Sequence, residues 1–392
     1  MVAVISRQFG LEHVETAEDI VSDTFLSASE HWKLQGLPAN PAAWLYAVAR
    51  QKTLYHFRRN KIFEKKVSPG LRSAAGEAIE PVELDFSNDS IRDSQLRMLF
   101  AVCDPAIASE SQIGLALRVL CGFSIDEIAE AFLTNKETIN KRLYRAREKL
   151  RSEKIALAYP PEHLLGERLD NVLRIIYLLF NEGYYSQGQN EVMRKDLCLE
   201  AIRLGLLLAD FSTTSQPRTH ALIALMCFHA SRFEARQDGE GYILYEDQDE
   251  ARWNRELINQ GCTFLELAAR GEDLSSYHLE AGIAFWHCQK EESREKWKNI
   301  LHYYDLLLQL HYSSAAALNR LVALSKVEGK EVAIEEANNS SLPQNLYYHI
   351  LMGDLWTGVD NAKAKQFLEE AGKQARTPGD VQGIRSKLEK IK

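Results

Sequence analysis

Between Lys136 and Lys154 the chain carries eight basic residues, Lys136, Lys141, Arg142, Arg145, Arg147, Lys149, Arg151 and Lys154, against three acids, Glu137, Glu148 and Glu153. That is a local excess of +5 in a chain whose 47 basic and 55 acidic residues leave a formal net charge of −8. Positive charge at this density is what contacts to nucleic-acid phosphates require. Arg and Lys can also donate to guanine in the major groove, and Asn140 has the amide that pairs with adenine. The overall charge excludes a surface that is basic all over and leaves room for one patch. On pattern alone two readings stay open, DNA contact and a solvated cationic helix on a bundle, and the first carries more weight.

Little else in the chain offers chemistry. There is no G-x-x-x-x-G-K-[ST], no G-x-G-x-x-G and no H-E-x-x-H, so neither a phosphate loop nor a zinc protease site is expected. The six cysteines include no C-x-x-C pair and read as scattered core thiols in a reducing cytosol. Glu246, Asp247, Asp249, Glu250, Arg252, Trp253 and Arg255 form a dense charged cluster. Without His or Cys it reads as an ion-paired loop and helix start rather than a metal or catalytic centre. Glu182 lies beside apolar helix residues, where burial can raise its pKa, and reads as part of a structural corner. No catalytic residue, metal or cofactor is expected.

The elements that position the basic run are legible. Ser124 and Glu127 form a capping box, and Thr134 with Glu137 reads as a second one ten residues on. Two helices joined by so short a turn meet steeply, as in a helix-turn-helix. Ile125, Ile128, Ala129 and Phe132 make the inner face of the first helix. Ile139, Leu143, Ala146 and Leu150 do so for the second, leaving Asn140, Lys141, Tyr144, Arg145 and Glu148 outward.

Upstream, residues 16 to 32 read as an amphipathic helix with Ile20, Val21, Thr24, Phe25 and Ala28 on one face. Its acids Glu18, Asp19 and Asp23 read as a solvated surface. Asn40-Pro41 then starts a helix, with Asn as cap and Pro at the first position. Trp44, Leu45 and Val48 stripe that helix, and Arg50, Lys52, Arg58 and Arg59 load its later turns. Favourable charge at a helix end and a nucleic-acid surface both account for this pattern. Pro69, Gly70, Gly76 and Pro81 mark a linker. Apolar spacings of three and four dominate the remainder, so the fold class is all-α. Paired amphipathic helices between 276 and 376, with breaks at Gly329 and Gly358, suggest stacked units without a clean repeat. No apolar run reaches the roughly 18 residues of a membrane span. No secretory signal precedes the first helix, so a cytoplasmic location is expected.

In order, these residues are AED-x-V-x-D-T-F (17 to 25), P-x-A-W-L-Y-x-V-A-R (41 to 50), an Arg pair at 58 and 59, a linker, then EIA followed by T-I-x-x-R-L-x-R-A-R-x-K-L (138 to 150). This resembles the extracytoplasmic-function sigma factors of bacterial RNA polymerase. RLDNVLRIIYLLFNEGYYS (168 to 186), AIRLG (201 to 205), YEDQDEARWNRELINQG (245 to 261) and ALNRLVAL (317 to 324) resemble the subgroup with a long tetratricopeptide-like C-terminal extension.

The resemblance implies a division into region 2 (1–62), a flexible linker (63–90), region 4 (91–155) and the extension (156–392). It implies two partners, promoter DNA and core RNA polymerase through its β′ clamp and β flap. Asp19, Asp23 and Phe25 are the implied clamp contacts. Lys33 to Asn40 resembles the loop that captures a flipped −10 base. Trp44, Arg50, Lys52, Arg58 and Arg59 are implied on the melted −10 strand. Thr138, Asn140, Lys141, Arg142 and Arg145, with the outward Tyr144, are implied at the −35 element. The extension is implied to regulate in cis, by contact with its own sigma domains or another protein.

Two features depart from the family pattern. Members usually carry more residues before the stretch resembling Val2 to Gly10: either the start is mis-assigned or this helix is genuinely short, and a short helix implies a less stable region 2 or weaker core binding. Glu137 stands where the family often has a small residue and sets a carboxylate near the DNA. A helix-turn-helix regulator independent of core polymerase, and an enzyme or scaffold seated in 156–392, are the alternatives.

Overall fold

The structure is a computed structural model and describes residues 1–67, 84–132, 134–184, 193–238, 241–243, 245–375 and 378–391. It divides into two compact units, Met1–Leu178 and Leu179–Lys392.

The first unit is built from α1 (Val2–Phe9), α2 (Val14–Gln35), α3 (Pro41–Val67), α4 (Asn88–Val102), α5 (Ser109–Ala116), α6 (Ile125–Ala131) and α7 (Lys136–Ser152), and from the start of α8 (Glu162–Tyr184). Ile5, Ala17 and Ile20 are buried together, with Phe57 and Phe86 against them. Phe9 stacks on Phe57 at 3.6 Å between ring centroids. The start of α3 is as the sequence predicts, since the Asn40 side chain accepts from the Ala43 amide at 3.0 Å. That helix continues to Val67, and α4 begins at Asn88, capped by Ser87. Most of the expected linker, 68–83, lies outside the described residues. After α5 the chain adds a π-helical turn, Leu117–Cys121, and stops at Gly122, whose φ of +79° favours glycine.

The first unit runs past residue 155. Leu169, Val172, Leu173 and Ile176 of α8 are fully buried. Its Arg168 pairs with Asp104 and donates to the Phe100 carbonyl at 2.7 Å, while Asn171 donates to the Cys103 carbonyl. These donors meet carbonyls at the end of α4 that the helix itself leaves unsatisfied.

The second unit contains α9 (Lys195–Ala209), α10 (Pro217–Ala230), the single turn α11 (Phe233–Arg236), α12 (Arg255–Ala268) and α13 (Ser276–His287). They are followed by α14 (Arg294–Leu310), α15 (Ser314–Val327), α16 (Lys330–Asn339), α17 (Leu346–Trp356), α18 (Asn361–Gln374) and α19 (Pro378–Lys390). A two-residue hairpin, β1 (Gln237–Asp238) with β2 (Gly241–Tyr242), is the one departure from all-α among the described residues. Helix α10 is buried almost all round and packs on α9, α12 and α13. From α13 to α19 each helix packs on the next, the nearest-neighbour pattern of a stacked array.

Burial pushes the thiols of Cys103, Cys198 and Cys227 up to about 12, so these are packing groups rather than nucleophiles. No helix of the described residues is long and apolar enough to cross a membrane.

Helices α10 and α12 approach closely at Gly261, where an added Cβ would lie 2.6 Å from the Phe228 ring. Gly261→Ala is therefore expected to cost about 1–3 kcal/mol, read by urea denaturation. An unchanged midpoint would contradict this packing.

Candidate nucleic-acid interface

The helix-turn-helix forms as its apolar spacing predicts. Ser124 and Glu127 make the capping box of α6. The second helix is capped one residue later than expected. Asn135, not Thr134, is the N-cap of α7, and its side chain accepts from the Thr138 amide at 2.8 Å. Glu137 is thus the second helical residue and not a box partner. Ile139, Leu143, Ala146 and Leu150 are each 2% exposed or less. With the inner face filled, Asn140, Lys141, Tyr144 and Arg145 stand exposed on the outer one, one turn apart. Lys141 and Arg145 have no ion-pair partner among the described residues. Thr138 is half-buried. Arg142 is held back: it pairs with Glu110 at 2.8 Å and lies over the Phe132 ring.

The rest of the basic run points elsewhere. Arg147 reaches Glu15 at 3.2 Å and Glu18 at 2.5 Å, and Arg151 reaches Glu15 at 2.6 Å. Arg118, at the π-helical turn, closes the cluster on Glu18 at 3.0 Å. Three arginines therefore converge on two carboxylates one turn apart on α2. This corrects the solvated reading of that acidic face. Asp19 and Asp23 are exposed, but Glu18 is buried beneath α7. Burial raises the Glu18 carboxyl above its ordinary value, against the pull of Arg147 and Arg118. A local charge count could not find this cluster, because its partners lie 100 or more residues apart along the chain. The Glu15/Glu18 spacing of three was the only signal.

A second surface lies along α2 and α3. Asp19, Asp23 and Phe25 are exposed, with Phe25 at 52%. Trp44 is half-buried between the rings of His31 and Trp32, at 5.4 and 5.5 Å. Arg50 and Arg58 are exposed, and Lys52 donates to the Asp23 carbonyl at 3.0 Å. The Arg59 side chain lies outside the described residues. Two open clefts flank α3, one of about 620 Å³ lined by Tyr46, Arg50, Asp85 and Phe86, the other of about 500 Å³ lined by Lys52, Tyr55 and Arg58. Phe86 stacks on Tyr46 at 5.0 Å, with planes 7° apart. Aromatic and cationic groups side by side suit unstacked bases and their phosphates.

The described residues contain no cluster of three or more metal-ligating side chains. In the charged segment near 250, Asp249 caps a short turn through the Ala251 amide at 2.9 Å, Arg255 pairs with Glu250, and Trp253 is buried. That is the ion-paired loop and helix start read from the sequence. Glu182 is raised by burial, as anticipated.

Residues 2–62 match the family described as Sigma-70 region 2, and residues 114–150 match Sigma-70, region 4. Residues 168–269 match a family of unknown function, DUF6596. An uncharacterized protein of Rhizobium meliloti (strain 1021) is 32% identical over 384 residues, covering 97% of this chain and 90% of that protein. The ECF RNA polymerase sigma factor SigL of Mycobacterium tuberculosis is 30% identical over 136 residues, covering 34% of this chain and 72% of that protein. No solved structure matches the chain.

Arg147→Ala leaves Glu18 buried with one arginine instead of two, and is expected to destabilise the first unit by about 3 kcal/mol. Lys141→Ala, on the open face, is expected to change stability by less than about 0.5 kcal/mol. Equal effects in a denaturation series would refute this division of the basic run.

Proposed function

The chain belongs to the extracytoplasmic-function sigma factors, and from that premise we propose that it reads a −35 element with α7 and holds a melted −10 strand along α3. The carrying observation is the outer face of α7. Asn140, Lys141, Tyr144 and Arg145 stand exposed on a helix whose inner face is completely packed. Entering the major groove, Lys141 and Arg145 donate to guanine or phosphate and Asn140 pairs with adenine. Thr138 and Arg142 flank them. Arg142 first has to leave Glu110, so its contribution is smaller than that of Arg145.

In region 2, Arg50, Lys52, Arg58 and Arg59 supply the phosphate contacts, and Trp44 with the aromatic-lined clefts beside α3 receives splayed bases. Exposed Asp19, Asp23 and Phe25 dock on the β′ clamp, and region 4 meets the β flap. Work on DNA with core polymerase implies a cytoplasmic location.

Reading both elements requires the first unit to open. About 25 base pairs separate −35 from −10, roughly 85 Å at about 3.4 Å per pair. Helices α7 and α2 are meanwhile joined by ion pairs of 2.5–3.2 Å. The arrangement with Glu15 and Glu18 closed on Arg118, Arg147 and Arg151 is a resting form. Core binding separates the two regions, and the released Arg147 and Arg151 are then available to phosphates.

The tetratricopeptide-like extension regulates this step in cis, against its own sigma regions or through another protein. Its removal has to spare α8, because Arg168 and Asn171 belong to the first unit. Truncation after residue 184 is expected to change promoter output and to leave core binding intact, measured by co-elution with core polymerase.

The primary test is run-off transcription with purified core polymerase on the protein's own upstream DNA. A discrete transcript that depends on the protein is expected. Absence of both transcript and core binding would overturn the reading. Arg145→Ala is expected to weaken promoter binding and lower the salt slope by about one. Unchanged slope and affinity would misplace α7.

A further inference from the structure

The second unit holds a buried cation with no counter-ion among the described residues. Arg232, in the turn between α10 and α11, is 7% exposed. Its guanidinium has no ion pair, and its Nε no hydrogen-bond partner, among the described residues. Guanidinium cannot relieve its burial by losing a proton.

Its surroundings are built around one ring. The Arg232 guanidinium carbon lies 5.5 Å from the Tyr245 ring centroid, with Lys290 Nζ at 5.4 Å and Lys296 Nζ at 5.3 Å. His287 and Trp253 have their rings 5.2 and 6.4 Å from the same centroid. A backbone bond of 2.7 Å from the Asn254 amide to the Ser231 carbonyl ties the Arg232 turn to the Trp253 segment. The lysines are held in place. Lys296, 1% exposed, donates to Tyr245 Oη at 3.1 Å and the Gln289 carbonyl at 2.8 Å and pairs with Glu292 at 2.9 Å. Lys290 donates to the Gln248 carbonyl at 2.9 Å and the Tyr245 carbonyl at 3.3 Å.

Three positive charges thus share one ring. Of fourteen buried side-chain atoms without a hydrogen-bond partner among the described residues, four gather here: Arg232 Nε, Trp253 Nε1, His287 Nδ1 and Gln248 Oε1. Burial and the charges of Arg232 and Lys296 push the His287 pKa down to about 3, so its imidazole is neutral at ordinary pH. A cation–π stack explains one cation on a ring face. It does not explain why Arg232, with no ion pair among the described residues, is brought to a ring that two ammonium groups already face, nor why four buried polar atoms there lack partners. An anion resolves both.

We propose that this cluster is a binding site for a small oxyanionic molecule, one that carries a carboxylate or phosphate group and a hydroxyl. The Arg232 fork takes the oxyanion, the Trp253 N–H adds a donor, and Lys290 and Lys296 supply the field. The hydroxyl donates to Gln248 Oε1, and its oxygen accepts from His287 in the tautomer that carries the proton on Nδ1. The inference rests on the second unit alone and is independent of the transcription reading.

The test is calorimetric titration of the full chain with sodium citrate and with sodium phosphate, each against sodium chloride at matched ionic strength. One-site, saturable binding of at least one is expected. Citrate alone identifies carboxylate, and phosphate alone a phosphate group. Arg232→Met is expected to weaken binding about tenfold, and Trp253→Phe by about threefold to tenfold. Should Arg232→Met fail to fold, Lys290→Gln at the rim serves as the second variant, with a loss of about threefold expected. No saturable heat with either salt, or undiminished binding in the folded variants, would overturn the proposal.

Discussion

A single carboxylate organises the first unit. Glu18 lies beneath α7 and is shared by Arg118 and Arg147, while Glu15 one turn earlier takes Arg147 and Arg151. This cluster fixes the helix-turn-helix against α2. It also divides a run of basic residues that looks uniform along the chain, turning two arginines inward and leaving Lys141 and Arg145 to solvent. Removing one partner of such a cluster is costly, yet its net worth is small, because desolvation consumes most of the Coulomb gain. The raised Glu18 carboxyl points the same way, since burial outweighs two facing arginines. Such a contact specifies one arrangement without making it deep, which suits a closed form that a large partner must open.

The parts of this design that follow from local rules were legible in the sequence. The spacing of Ile139, Leu143, Ala146 and Leu150 gave the buried face of α7 and, by difference, its open face. Asn40-Pro41 marked the start of α3, and Ser124 with Glu127 that of α6. The Asn135 cap was missed because Thr134 also fits a cap and the pattern cannot choose between neighbours one residue apart. Glu18 was missed for a deeper reason. Local spacing shows that a residue lies on a polar face but not which distant helix covers it. The same limit applies to α8, where Arg168 and Asn171 satisfy carbonyls at the end of α4 and draw the helix start into the first unit. The two-residue hairpin is too short to produce an alternating pattern.

The two units use buried charge in opposite ways. In the first, each buried ion has partners within the chain, and the question is what separates them. In the second, the chain brings Arg232, Lys290 and Lys296 to one aromatic ring; Lys296 pairs with Glu292, and Arg232 has no ion pair among the described residues. Folding alone gives little reason to bury a guanidinium that neither pairs nor deprotonates, since an apolar residue of similar volume would pack there at lower cost. The segment from Tyr245 to Trp253 reads in the sequence as an ion-paired loop and helix start, and the structure bears this out. It sets the Tyr245 ring against the Arg232 guanidinium with Trp253 beside that ring, and Asp249 caps the turn between them. On the proposed reading, a closed form held by compensated charge responds to a macromolecule that pulls its halves apart, and a site left uncompensated responds to a small anion that completes it. On that reading, one chain with both couples polymerase binding to a chemical signal only if the second unit's stability depends on occupancy, and the unpartnered polar atoms around Tyr245 are where that dependence would arise.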